Sequence, residues 1–388
     1  MKKFLALVLT FAMVFAFAAC GQKTETGKTD GDAANTLVIG GIGPVTGAAA
    51  DYGIAVKNGA QLAVDEINAA GGVNGMKLEL KFQDDEHDAE KSVNAYNTLK
   101  DDGMQALIGT VTSVPCIAVG AEAEKDNIFM LTPSGSAVDC IKGKNAFRIC
   151  FSDPNQGAAS ATYIGENKLA TKVAIIYDSS DVYSSGIKET FVAEAKNQGI
   201  EIVTEQAYTK DTATDFTVQL QKVKESGAEL VFLPIYYQAA ALILQQAKQT
   251  GLEAKFFGCD GLDGVIKQLG DDVALSDGVM LLTPFAADAT DDATVKFVTA
   301  YKAAYNDAIP TQFAADGYDA VYTIKAALEK AGVTDASISA SDLCDKIVSV
   351  MTEIEVKGVT GTMTWDASGE PTKDPKAMVI EDGAYKAM

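Results

Sequence analysis

From Thr36 onward, short β-rich runs alternate with longer segments in which apolar residues recur at helical spacing. Leu37-Val38-Ile39-Gly40 reads as a buried strand, and 52–70 as a helix stopped by Gly71-Gly72. A strand over 78–82, a helix over 89–101, the strand Ala106-Leu107-Ile108-Gly109, a helix over 114–126 and a strand over 128–131 complete one cycle. A second cycle follows Arg148-Ile149-Cys150-Phe151-Ser152-Asp153-Pro154. Its strands are Val173-Ala174-Ile175-Ile176-Tyr177, Ile200-Glu201-Ile202-Val203, Leu230-Val231-Phe232-Leu233 and Phe256-Phe257-Gly258. Its helices fall over 185–198, 216–225 and 239–249, the last ended by Gly251. Strands alternating with helices of this length predict an α/β fold of two doubly wound parallel-sheet lobes. Helices after Asp291 and over 314–331 come too late for either cycle, and 361–380 has strand character with the only tryptophan, Trp365. The leftover segments imply a chain that crosses between lobes more than once.

The first 19 residues are of another kind. Met1-Lys2-Lys3 is a short basic start, 4–19 is apolar apart from Thr10, and small residues lead into Cys20. This is the pattern of a secretory signal, too short for a membrane-spanning helix. Residues 20–35, rich in Gly, Thr, Lys and Asp, read as a flexible tether. Phe17-Ala18-Ala19-Cys20 resembles a bacterial lipobox, which implies lipidation at Cys20. Phe17 departs from the usual aliphatic residue there, and ordinary cleavage without a lipid is the alternative.

Charge narrows the partners. The net charge is −21 and Arg148 is the only arginine, a poor match for nucleic acid, which needs clustered cations to displace counterions from phosphate. An anionic membrane surface is disfavoured for the same reason, leaving the lipid anchor as the expected membrane contact. Beyond Cys20 stand Cys116, Cys140, Cys150, Cys259 and Cys344, an odd number without CxxC spacing. No metal cluster or disulfide scaffold is expected. Cys140 and Cys150 could bridge a short loop, and buried free thiols are the simpler reading.

Several runs stand in an order that resembles one family. Ile42-Gly43-Pro44-Val45-Thr46-Gly47, Tyr52-Gly53, Asn58-Gly59-Ala60, Ile67-Asn68 and Gly71-Gly72-Val73-Asn74-Gly75 are similar to the opening of leucine/isoleucine/valine-binding proteins, the solute-binding components of ABC uptake transporters. Asp84-Asp85, Ile108-Gly109 before Ser113, and Thr132-Pro133-Ser134 continue the pattern. Tyr183-Ser184-Ser185-Gly186, Tyr236-Tyr237, Gly258-Cys259-Asp260-Gly261 and the segment from Gly361 to Trp365-Asp366 are weaker echoes. The resemblance implies a two-lobed fold with three crossovers, closing on a small amino acid by hinge motion. Projected here, residues 36–153 and 284–358 form one lobe, and 154–283 and 359–388 the other. The implied partners are ABC permease subunits and their ATPases, with no cofactor and no catalysis, outside the cytoplasm.

A free amino acid needs fixed donors at its carboxylate and an acceptor at its ammonium, because buried charges persist only when paired or hydrogen-bonded. Ser113 stands just past the third strand and before a helix, where free backbone N–H groups gather. In the resemblance it holds the ligand carboxylate, with Ser134 and Ser136 after the fourth strand; as a bare sequence feature Ser113 is equally a helix N-cap. Asp260 takes the ammonium in that reading, one methylene shorter than the glutamate common in the family. Tyr52, Tyr183 and Tyr237 would line the cleft, and Tyr236 could exchange roles with Tyr237. His87 and Thr112 stand where family members often carry a disulfide.

Two enzyme readings compete. Gly41-Ile42-Gly43-Pro44-Val45-Thr46-Gly47 with Asp84-Asp85 imitates a dinucleotide fingerprint of an oxidoreductase, but its third glycine comes one residue late and Pro44 interrupts the loop. A hydrolase or metal site lacks partners, since His87 is the only histidine. Within the same fold, a ligand sensor or a binder of an amide or urea is the other alternative.

Overall fold

The computed structural model describes residues 35–373 and 375–388. The expected signal sequence, Cys20 and the tether as far as Ala34 lie outside the described residues. The first cycle builds β1 (Thr36–Gly43), α1 (Ala50–Ala69), β2 (Lys77–Asp84), α2 (Ala89–Asp101), β3 (Ala106–Gly109), α3 (Ser113–Asp126), β4 (Phe129–Thr132) and β5 (Ala146–Arg148). All five strands are parallel, in the order β2-β1-β3-β4-β5. The strand order reverses at β1 and β3, which opens a crevice at their C-terminal ends.

The second cycle repeats this wiring. It runs α4 (Asp153–Glu166), β6 (Lys172–Asp178), α5 (Val182–Asn197), β7 (Glu201–Tyr208), α6 (Thr217–Ser226), β8 (Leu230–Leu233), α7 (Tyr237–Thr250), β9 (Lys255–Gly258), α8 (Val265–Leu269) and β10 (Met280–Thr283). Within a seven-stranded sheet the order β7-β6-β8-β9-β10 matches that of the first sheet. β3, β4 and β8 are buried along their whole length, which is why they read as unbroken apolar runs.

Three helices follow β10: α9 (Asp292–Ala304), α10 (Gln312–Lys330) and α11 (Ala340–Met351), and they return to the first sheet. α10 packs on α1 at two glycines. A Cβ on Gly59 would stand 1.8 Å from the Ala314 carbonyl oxygen, and one on Gly317 would stand 2.4 Å from that of Val56. The second lobe has the counterpart. There α4, arriving from β5 of the first sheet, packs on α5 at Gly157, whose added Cβ would meet the Ile187 carbonyl at 2.3 Å. Each lobe thus covers its first crossover helix with a helix delivered from the other lobe.

The tail is a hairpin of β11 (Val356–Gly358) and β12 (Gly361–Met363), then β13 (Lys376–Glu381) and β14 (Ala384–Ala387). β13 pairs antiparallel with β10 and β14 antiparallel with β13, so the second sheet is parallel except at this edge. Asp382 and Gly383, both at positive φ (51° and 71°), make the two-residue turn that such a hairpin requires. Residues 359–373, projected onto the second lobe, bond to the first. Val359 and Thr360 donate backbone N–H groups to Asp319 of α10, and Trp365 donates its indole N–H to the Arg148 carbonyl at 2.8 Å. The chain joins the second sheet only at Lys376.

Candidate functional site

The two crevices face each other, and a small cavity lies between them. Loops after equivalent strands contribute to it in matched pairs. After β1 comes Tyr52 and after β6 Tyr183; after β3 come Val111, Thr112 and Ser113, and after β8 Tyr236; after β4 comes Ser134, and after β9 Asp260 and Gly261. Phe313, in the first turn of α10, closes the ring.

The first-lobe wall presents hydroxyls and amides. Thr112 precedes α3 in extended conformation, so Ser113 opens the helix beside its free N–H groups and the positive end of its dipole. Ser113 Oγ accepts the Ala137 amide at 3.2 Å, and Ser134 Oγ donates to the Val111 carbonyl at 2.6 Å. The loop between β4 and the 3-10 turn Val138–Ile141 is held from beneath by Arg148, a fully buried guanidinium. Arg148 donates to the carbonyls of Ser136 (2.5 Å) and Gly135 (3.2 Å), and pairs with Glu370 at 3.2 Å.

The second-lobe wall is anionic and phenolic. Tyr183 donates its hydroxyl to Asp260 Oδ1 at 2.7 Å and accepts the Gly261 amide at 3.0 Å. The Asp260 amide donates to Gln156 Oε1 at 3.2 Å. Burial pushes the Asp260 carboxyl up to about 6, against the pull of Tyr183 and the Gly261 amide. Its pKa therefore lies close enough to neutrality for a nearby cation to fix its charge. Tyr236 stacks on Tyr183 with ring centroids 4.8 Å apart.

Tyr52 reaches across. Its hydroxyl donates to the Gly261 carbonyl at 2.5 Å and accepts the Tyr237 amide at 3.2 Å, while its ring stacks on Phe313 at 4.1 Å. At the rim Lys267 pairs with Asp51 at 2.5 Å. Lobe-to-lobe bonds of this kind describe a closed cleft.

Of the seven residues singled out in the sequence, Tyr52, Ser113, Ser134, Tyr183 and Asp260 come together around the cavity. Tyr236 lines it and Tyr237 does not. The helix over 239–249 begins earlier than expected, at Tyr237, so Tyr236 is the extended residue before α7 and faces the cleft. Tyr237 turns inward, its ring edge-on to Tyr52 at 4.9 Å. Ser136 stands behind the lining. Its carbonyl takes Arg148 and the Asp153 amide at 2.9 Å, and its hydroxyl lies against the buried Asp153 carboxyl. Phe313 was missed because it sits on a helix that only tertiary packing brings to the cleft.

His87 and Thr112 touch: Nδ1 lies 2.8 Å from Oγ1, so a hydrogen bond joins loops that a disulfide joins elsewhere in the resembled family. Asp84, the ribose-binding acid of the oxidoreductase reading, is engaged locally by the Val45 amide (2.9 Å) and the Thr46 hydroxyl (2.5 Å). Cys140 and Cys150 are both free thiols.

A closed cleft between two like-wired lobes, with donors on one wall and a carboxylate on the other, defines a two-lobed solute-binding protein. The chain belongs to the periplasmic binding protein family, whose model matches residues 36–384. It is 32% identical over 339 residues to a Leu/Ile/Val-binding protein homolog of Brucella melitensis, covering 86% of this chain and 88% of that one. It is 30% identical to the leucine-, isoleucine-, valine-, threonine- and alanine-binding protein of Pseudomonas aeruginosa, covering 87% and 88%. Among solved structures it is similar to the branched-chain amino acid transporter substrate-binding protein of Streptococcus pneumoniae in complex with isoleucine. That match has a TM-score of 0.81 and 28% identity, and covers 91% of this chain and 99% of that one. These relatives are named as amino-acid-binding proteins, the last of them that of a transporter, and family membership makes the location extracytoplasmic. Among the described residues no helix is long and apolar enough to cross a membrane.

Proposed function

We propose that the protein captures a neutral α-amino acid, a branched-chain one first, and delivers it to an ABC permease driven by its ATPases. The observation that carries this reading is the opposed chemistry of the two walls. The Ser113 hydroxyl, the first amides of α3 and the backbone at Ser134 suit a carboxylate, while Asp260 with Tyr183 suits an ammonium 
. The ligand side chain then meets Tyr52, Tyr236 and Phe313, which offer apolar faces and no basic group. The relatives that bind leucine, isoleucine, valine, threonine or alanine support the same class of ligand. Ser136 acts behind the lining by holding the loop that carries Ser134.

Two bodies part at the crossings near 148–153, 283–292 and just before Lys376 to admit the ligand. The stretch 359–373 stays with the first body, which moves the last boundary later than 359. Cys20 carries a diacylglyceryl anchor and 21–35 the tether; a Cys20→Ala variant then incorporates no labelled fatty acid. The main test is a thermal-shift screen of the common amino acids. A ligand at about a hundredfold its dissociation constant adds about 2.7 kcal/mol to stability. Stabilisation by a small neutral subset supports the reading, and no shift with any amino acid overturns it.

A further inference from the structure

Two cysteines meet directly beneath the first-lobe wall. Cys116 stands one turn into α3, and Cys140 lies in the 3-10 turn Val138–Ile141; both are buried. Cys140 Sγ lies 3.7 Å from the Ser113 carbonyl oxygen, and Cys116 Sγ 3.9 Å from the Cys140 carbonyl oxygen. Each sulfur thus lies against the other cysteine's segment, Cys116 Sγ against the Cys140 backbone and Cys140 Sγ against the first turn of α3. Burial works to raise the Cys116 thiol, but the Cys140 thiol, the Thr132 hydroxyl, the Thr110 backbone and the Arg148 charge outweigh it and hold it below the ordinary cysteine range. Burial and the neighbouring sulfur push Cys140 up. The Thr132 hydroxyl and the Arg148 charge beside Cys116 favour its thiolate, the form that opens thiol–disulfide exchange. The other cysteines have different neighbours: Cys259 faces the Ser160 hydroxyl and Cys344 the Asn127 side chain.

We propose that Cys116 and Cys140 are joined as a disulfide outside the cytoplasm, fastening the first turn of α3 to the segment that follows Ser136. The oxidant is a low-molecular-weight or protein disulfide of the kind an oxidising compartment supplies. The Cys116 thiolate attacks one sulfur of that disulfide, forms a mixed disulfide and expels the other sulfur as a thiolate. Cys140 gives its proton to the departing thiolate, attacks the Cys116 sulfur and expels the second sulfur as a thiolate, which takes up the proton that Cys116 lost on ionising. Two protein thiols become one disulfide, and the external disulfide is reduced to two thiols.

The placement ties the bond to the cleft. A Cβ on Gly135 would lie 2.8 Å from Cys116 Sγ, so the crevice loop roofs the sulfur. Exchange requires that roof to lift, and a solute held by the same wall slows it. The bond itself does not depend on which solute the cleft takes.

The test uses the full mature protein, free of solute, incubated with oxidised glutathione and digested for mass spectrometry. The expected product is one peptide pair linked through Cys116 and Cys140, with Cys150, Cys259 and Cys344 unmodified. A Cys140→Ser variant stalls with glutathione on Cys116, and Cys116→Ser leaves Cys140 unmodified. The oxidised wild-type protein melts several degrees above the reduced one. Free thiols at both positions after prolonged incubation overturn the proposal, as does a link between Cys140 and Cys150. The wild-type arm carries no substitution, so a variant that fails to fold does not rescue the idea.

Discussion

The two lobes share one wiring and end in opposite chemistry. At the equivalent point after the third strand of each cycle, the first lobe offers Ser113 and the start of α3, and the second offers Tyr236 at the start of α7. After the fourth strand the first lobe offers the backbone of the loop at Ser134, and the second a carboxylate at Asp260. A parallel sheet presents helix N-termini at its crevice, which suits anions and leaves cations unserved. The first lobe uses that default. The second overrides it with a buried carboxylate positioned by Tyr183 and Gln156. Closing like on like therefore yields a cleft with a positive-seeking end and a negative-seeking end, which neither lobe has alone.

The largest expected effect breaks this comparison at its anionic side. Asp260→Asn leaves an ammonium without its counter-charge and weakens amino-acid binding by about 3–5 kcal/mol, read by calorimetry. Next in size are the glycine contacts that dock a helix from one lobe onto the other. Gly59→Ala and Gly157→Ala each force a methyl against a backbone carbonyl, and each lowers unfolding stability by about 3 kcal/mol in denaturant titration. Similar losses at both sites sharpen the symmetry of the two lobes; a loss at only one breaks it.

Smaller effects separate the two ends of the cleft. Ser113→Ala removes a neutral donor and costs about 1 kcal/mol of affinity, well short of Asp260→Asn. Affinity also depends on pH through Asp260, whose carboxyl in the ligand-free protein is pushed up to about 6. Only the ionised form pairs with an ammonium, so binding is full about one unit or more above pH 6, halved near it, and falls by up to about tenfold per pH unit below it. In the ligand-free protein the sign is reversed. A raised carboxyl pKa favours the fold at low pH, and that contribution is lost as pH rises from the unfolded carboxyl value of about 4 to about 6. An affinity profile flat from pH 7 to 4.5 in the wild type, or one equally steep in Asp260→Asn, counts against the assignment.

Strand and helix periodicity made both cycles legible, because buried parallel strands are unbroken apolar runs that β1, β6 and β8 display openly. β5, with three residues, and β10 carry too little pattern to stand out, and their pairing comes from neighbours far along the chain. α11 lies outside both cycles, yet its signals are local: Ser339 caps it by accepting the Asp342 amide, and Leu343, Ile347 and Met351 form its buried face. Site residues next to strand ends, such as Ser113 and Asp260, were readable because the fold fixes where strand ends go. The choice between Tyr236 and Tyr237 was not, since it turns on which residue starts α7. Phe313 was illegible for a related reason, since α10 reaches the cleft only by crossing back to the first lobe.

The central claim, that one wall takes the carboxylate and the other the ammonium, is tested most directly by a binding cycle that changes the ligand and the protein together. Titration calorimetry would compare the best-binding amino acid with its deaminated carboxylic acid, in the wild type and in Asp260→Asn. The account predicts that removing the ammonium costs the wild type about 3–5 kcal/mol and costs the variant far less, because its partner is already gone. Equal losses in both proteins would mean that Asp260 does not face the ammonium, and the opposed-wall account would fall.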